Sequence, residues 1–60
     1  MLSPYTQADV DTIQRLYDRA TQKAKEASAR DDTNSWAVYS TQASAIYTTA
    51  TILRVKLRTG

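Results

Sequence analysis

Asp31 and Asp32 are the closest approach to a catalytic pair of carboxyl groups in this 60-residue chain. Enzymes most often use His as a general base and Cys as a thiolate nucleophile, and the chain contains neither residue. Both aspartates lie in the segment RDDTNS, residues 30–35, where most side chains are short polar groups that bond to nearby backbone and favour turns. The pair therefore indicates a turn, and we expect no enzymatic activity.

The composition also argues against metal and cofactor chemistry. Without Cys and His, the chain lacks the ligands of ordinary zinc sites and the thiols of disulfides or redox centres. Its single Gly cannot supply a glycine-rich phosphate loop. We expect no metal and no cofactor.

A basic cluster near the C-terminus is the remaining candidate for chemistry. Residues 35–60 carry Arg54, Lys56 and Arg58 and no acidic residue. Such a cluster can bind the phosphates of a nucleic acid, with an affinity that falls as salt is added. Basic residues at the end of a helix also interact favourably with the helix dipole. Since the net charge is only +2, nucleic-acid binding is the alternative function.

The elements that position these residues are predicted to be helices. The only Pro and the only Gly stand at positions 4 and 60, so neither interrupts the intervening segment. We predict helix 1 over about residues 6–29, with Thr6 as N-cap and Asp9 completing a capping box. Ser3, followed by Pro at the first helical position, is the alternative start.

Apolar residues recur at steps of three and four on both sides of RDDTNS, which predicts two amphipathic helices. We predict a loop over residues 30–34, with Asn34 or Ser35 as the cap of helix 2, and helix 2 over about residues 35–57. Two matching stripes joined by a short loop give an all-α antiparallel hairpin, a single domain over residues 1–60. The predicted hairpin core consists of Val10, Ile13, Tyr17, Ala20, Ala24, Trp36, Tyr39, Ala43, Ile46, Ala50 and Leu53.

Residues 35–53, SWAVYSTQASAIYTTATIL, form a stretch of nineteen residues without a charge. A second apolar row runs along this segment, displaced around the helix from the first, and one partner helix cannot cover both rows. A chain of this length also has little surface to bury alone. We therefore predict that helix 2 lies at the centre of a homodimeric or higher helical bundle, of which a four-helix bundle is the simplest form. The predicted oligomer interface consists of Val38, Ala45, Ile52 and Val55.

Two other interpretations of this region differ in their consequences. Residues 52–58 are rich in β-branched residues and end in alternation, so an inter-subunit strand is an alternative to helix. In a strand the three basic side chains would point the same way, whereas in a helix Arg54 and Arg58 would share a face.

A membrane span is not expected for residues 35–53, because eight of these nineteen residues are Ser, Thr or Gln. The N-terminus does not resemble a signal peptide, and we expect a cytoplasmic protein.

Two helices with a short loop and a heptad stripe on each resemble the small plasmid RNA-binding hairpin proteins that dimerise into four-helix bundles. The resemblance lies in architecture alone and carries no function. We expect a small non-enzymatic regulatory or accessory module, of a kind found in phages and plasmids, that binds itself and a protein partner. Binding of nucleic acid by the basic cluster is the alternative.

Overall fold

The computed structural model describes residues 6–59, which form two helices that pack against each other. Helix α1 spans Gln7–Ala29 and helix α2 spans Thr33–Ile52. Only three residues connect them, so α2 returns alongside α1 as the predicted hairpin. Residues 55–59, here called the C-terminal tail, have no regular secondary structure and fold back onto the hairpin.

The predicted capping box begins α1. The Thr6 hydroxyl accepts the Asp9 N–H at 3.3 Å, and the Asp9 carboxylate accepts the Thr6 N–H at 3.0 Å. Two main-chain donors that an uncapped helix would leave unsatisfied are thereby bonded. The alternative start at Ser3 lies outside the described residues.

The turn between the helices is shorter than predicted because Asp32 serves both of them. Its N–H donates to the Ala27 carbonyl at 2.9 Å, and Asp31 adopts the left-handed conformation with φ 58°. These are the features of a Schellman motif, which satisfies the last carbonyls of a helix. The Asp32 carboxylate then accepts the Ser35 N–H at 3.1 Å as the N-cap of α2. The predicted cap at Asn34 or Ser35 is wrong, and α2 begins at Thr33.

A second Schellman motif ends α2 at Ile52, five residues before the predicted end at 57. Arg54 is left-handed with φ 61°, and its N–H donates to the Thr51 carbonyl at 3.1 Å. The Val55 N–H donates to the Ala50 carbonyl at 2.8 Å, and both side chains are buried. The chain reverses here because Val55 packs over the last turn and the tail then bonds to α1. Within residues 6–59 the single chain forms no strand, and the alternative of a strand paired between subunits over 52–58 stays a prediction.

Alanine dominates the contact between the helices. Several predicted core residues, among them Tyr17, Tyr39 and Ile46, are only half-buried. Trp36 and Leu53 were predicted to be core but are 47% and 38% exposed, because they lie at the two ends of α2, where the hairpin offers less cover. The buried apolar residues are Ala20, Ala24, Ala27, Ala43, Ala50 and Val55.

The cap at Asp32 predicts a pH dependence of stability. Its pKa is lowered, chiefly because the carboxylate accepts the Ser35 N–H and interacts with the Ser35 hydroxyl, with the Arg30 charge contributing further. A lowered pKa in the folded state means that the stabilisation is present above the unfolded-state pKa and is lost as pH falls through the folded-state pKa. Asp32→Asn keeps a capping oxygen but does not titrate. Urea unfolding followed by circular dichroism between pH 6 and pH 2 should show a larger loss in the wild type than in Asp32→Asn. Equal losses would contradict a role for this carboxylate.

Candidate functional site

The outer face of α2, opposite α1, is exposed and apolar. Val38 and Ile52, which were predicted to lie at an oligomer interface, are 54% and 75% exposed, and Ala45 between them is also exposed. Val55, predicted to extend this row, is instead buried in its own chain because α2 ends before it.

Two threonines that the prediction from sequence did not include complete the row. Thr41 and Thr48 are exposed and alternate with the apolar residues at steps of three and four. This spacing is the pattern by which one helix packs along another in a coiled coil, and it was the signal that identified the other residues. We call these five residues, Val38, Thr41, Ala45, Thr48 and Ile52, the outer seam.

The outer seam lies on a helix without a charged residue. A helix with one solvated face normally carries charged side chains there, as α1 does. In α2 the flanking exposed positions Asn34, Ala37, Ser44 and Thr49 are all neutral. A second helix can therefore cover the seam without desolvating a charge, which would otherwise oppose association.

The exposed surface of the chain is large for its mass. The hairpin is a rod of 46 × 16 × 16 Å with a radius of gyration of 12.9 Å, against about 10 Å for a compact chain of this length. Its accessible surface is 4885 Å² for 6.7 kDa, whereas a folded monomer of this mass exposes roughly 3900 Å².

The second candidate surface is the side of the hairpin where the C-terminal tail docks. The side chain of Gln14 pairs with the main chain of Arg58: its Oε1 accepts the Arg58 N–H at 2.8 Å and its Nε2 donates to the Arg58 carbonyl at 3.0 Å. Nε2 also donates to the Asp18 carboxylate at 2.9 Å. Gln14 is 7% exposed and was missed by sequence reasoning, because the apolar periodicity of α1 contains no signal for a polar contact with the tail.

The tail places the predicted basic cluster on the solvent side. Val55 is buried and Leu57 is half-buried, whereas Arg54, Lys56 and Arg58 are all exposed. Covered and exposed side chains therefore alternate over residues 55–58. Within residues 6–59 the ion pairs are Lys23–Glu26 at 3.9 Å and Arg30–Asp32 at 3.7 Å, and neither involves the cluster.

At the end of the described tail, two open grooves flank the Tyr17 side chain. Its ring packs against that of Tyr47, with centroids 6.2 Å apart and planes tilted by 47°. Each groove has a volume of about 460 Å³. Thr59 lines both grooves, together with Ser44 and Thr48 in one and with Thr21 in the other.

The carboxyl groups considered for catalysis belong to the turn instead. Asp32 caps α2, and Asp31 occupies the left-handed position of the Schellman motif. Over residues 6–59 no group of three or more acidic side chains is placed to hold a metal ion. In the same range neither helix combines the length and apolarity needed to cross a bilayer.

Comparison of this chain with protein-family models, with curated proteins and with solved structures gives no match.

Gln14→Ala should release the tail. Loss of two main-chain partners worth about 1–3 kcal/mol shifts the ratio of docked to undocked tail by roughly 5- to 150-fold toward the undocked form. Hydrogen exchange of the Arg58 amide, measured by NMR, should accelerate accordingly until protection is lost. The control is Gln7→Ala, which removes an exposed bond to Asp11 on the same helix, far from the tail. An Arg58 amide equally protected in both variants would show that Gln14 does not hold the tail.

Proposed function

We propose that this chain is a small non-enzymatic helical module that self-associates through the outer seam and acts as a regulatory or accessory binding protein. The observation that carries the proposal is the uncharged, exposed seam on a hairpin with about a quarter more surface than a compact monomer of its mass. A soluble helix gains nothing from a neutral outer face unless another surface covers it. A second copy fits, because α2 presents a self-complementary row of small and medium side chains.

In the proposed dimer the two α2 helices pack at the centre and the two α1 helices lie outside. This is a four-helix bundle with two-fold symmetry, in which the same seam serves both subunits. Small side chains such as Ala45 let the central helices approach closely, as in other tightly packed helix pairs. The charged residues of α1 remain on the surface and keep the assembly in solution.

The remaining exposed apolar groups favour binding to a protein partner. Leu16, Trp36 and Tyr47 are each nearly half-exposed and lie away from the outer seam. Aromatic side chains of this kind are frequent anchors of protein interfaces. We propose that this Cys-free chain is an accessory protein of phage or plasmid type that acts in the cytoplasm.

Nucleic-acid binding is a second candidate because of the geometry of the tail. Arg54, Lys56 and Arg58 are exposed together, without an ion pair among residues 6–59. In the proposed dimer the cluster is present twice. Binding of this type would be governed by phosphate contacts rather than by sequence.

Ala45→Glu should dissociate the dimer and leave the hairpin folded. The new charge lies at the middle of the seam, where burial without a partner is unfavourable, but Ala45 contacts solvent in the single copy. Ile52→Glu should act in the same way. Sedimentation should then show a mass of one chain, while far-UV circular dichroism retains the helical signal at low temperature.

The control is Arg15→Glu, which changes an exposed residue of the outer helix and should leave the mass unchanged. A wild-type protein that sediments as a monomer at micromolar concentration would contradict the proposed self-association.

The nucleic-acid candidate is tested by titration with generic duplex DNA and RNA at low and moderate salt. If the tail binds phosphates, replacing both Arg54 and Arg58 with Ala should weaken binding and reduce the dependence of log K on log salt by about two contacts. Replacing Arg15 and Arg19 with Ala removes the same charge from α1 and should have a smaller effect. Absence of wild-type binding at low salt would eliminate this candidate.

A further inference from the structure

A third open groove lies beside the two that flank Tyr17. It has a volume of about 390 Å³, and Tyr47 lines it together with two basic residues. Tyr47 also lines one of the two grooves described above, and Tyr17 lines both of those. The three grooves thus form a series with a shared tyrosine at each boundary. We call this surface the tyrosine trough, and the residues on which the inference depends are Tyr17, Lys25, Tyr47, Arg54, Lys56 and Arg58.

Positive charge lies at both ends of the tyrosine trough. Each end groove has two exposed basic residues, which are Arg54 and Lys56 at one end and Lys25 and Arg58 at the other. The ion pairs found within residues 6–59 involve none of these four. Among the described residues that line the three grooves, Asp18 has the one carboxylate. The trough therefore has an excess of cations that phosphate groups can neutralise.

Tyr47 offers an aromatic surface between these cations. It is 48% exposed, and its ring packs against that of Tyr17 with the two centroids 6.2 Å apart. A tilted pair of this kind holds the Tyr47 ring in place while part of the side chain stays open to solvent. Nucleobases stack on aromatic side chains, and every base can do so because each has a π-face.

We propose that the tyrosine trough binds single-stranded nucleic acid, with a base stacked on Tyr47 and phosphates at the flanking cations. The inference rests on the proposed binding of phosphates by the basic cluster and names its substrate class. An intact duplex does not offer this contact, because neighbouring base pairs cover the faces of each base. An acidic peptide would neutralise the cations but has no base to place on the ring.

The surroundings of Trp36 show why Tyr47 is the ring that fits a nucleic acid. Trp36 is 47% exposed, nearly the same as Tyr47, and lies closer to the start of α2. It lines a smaller groove, of about 150 Å³, together with Asp31 and Asp32. Carboxylates beside the ring repel phosphates, whereas the cations beside Tyr47 attract them. Exposure of an aromatic ring is therefore not sufficient, and the neighbouring charges favour Tyr47.

Pairing through the outer seam does not place Tyr47 at the dimer interface. At about 100° per residue, Tyr47 lies roughly 130° around α2 from the mean direction of the seam residues. Thr48 belongs to the seam and also lines the middle groove, so the trough follows one edge of the proposed dimer. Each dimer would carry two troughs, and binding does not depend on self-association.

The test is fluorescence anisotropy at low salt with a labelled oligothymidylate of about twelve nucleotides, either single-stranded or annealed to its complement. Tyr47→Leu should weaken binding of the single strand roughly 5- to 150-fold, because a stacked base is lost, and should not weaken binding of the duplex. It removes no charge, so the salt dependence should stay the same. Replacing Arg54 and Lys56 with Ala should instead reduce the slope of log K against log salt by about 1.4 for the single strand.

Trp36→Leu is the matched control, because it removes a ring of similar exposure beside carboxylates and should leave binding unchanged. Tyr47→Phe keeps the ring and should bind as the wild type does. If circular dichroism shows that Tyr47→Leu is unfolded, Tyr47→Trp in a Trp36→Phe chain gives a second readout, because the wild type has only one Trp. The indole fluorescence at position 47 should be quenched by the single strand and not by the duplex.

The outcomes separate this inference from the other proposals. If neither single-strand nor duplex binding responds to Tyr47→Leu, stacking is overturned and phosphate binding is left intact. Absence of binding to both probes overturns the inference and the nucleic-acid candidate together, whereas self-association is still decided by the sedimentation mass. Poly-glutamate that competes as well as unlabelled oligothymidylate of equal charge also overturns the inference, because the trough would then bind any polyanion.

Discussion

Alanine at the contact between α1 and α2 is the constraint on which the rest of this structure depends. Ala20, Ala24 and Ala27 on one helix and Ala43 and Ala50 on the other let the helices pack closely, but each buries little surface. Larger side chains such as Tyr17 and Ile46 flank this contact and remain half-exposed. Hydrophobic stabilisation scales with the apolar area removed from water, so a hairpin built in this way has little to spare.

Main-chain hydrogen bonding at the helix ends supplies part of what the thin core lacks. Asp32 accepts a hydrogen bond from α2 and donates one to α1, so this single residue fixes both the end of α1 and the start of α2. The equivalent stop after α2 uses Arg54, a residue poorly suited to the left-handed region. The two ends of α2 therefore differ, because the left-handed conformation costs less for Asp31 in the turn than for Arg54 after α2.

The two helices could be predicted from local and periodic signals in the sequence. The errors arose where contacts between residues distant in sequence determine the structure. Thr6 and Asp9 marked the start of α1, and the steps of three and four predicted both helices. The apolar pattern continues past Ile52, and no Gly marks the stop, so the sequence favoured helix to 57. The reversal depends on a contact between residues 14 and 58, which periodicity cannot register. Trp36 fits the core stripe by spacing but lies at an end of the hairpin.

The distribution of charge gives the most specific indication of what the outer face of α2 does. Packing against α1 requires one apolar stripe, and it places no restriction on the opposite face. Charged residues there would be compatible with the hairpin and would make it more soluble. All the charges of residues 6–59 nevertheless lie on α1, in the turn between the helices and after α2 at Arg54, Lys56 and Arg58, whereas α2 has none. Since the fold of one copy does not require this neutrality, the uncharged face and the regular spacing of Val38, Ala45 and Ile52 are the observations that support the proposed packing of a second helix on the outer seam.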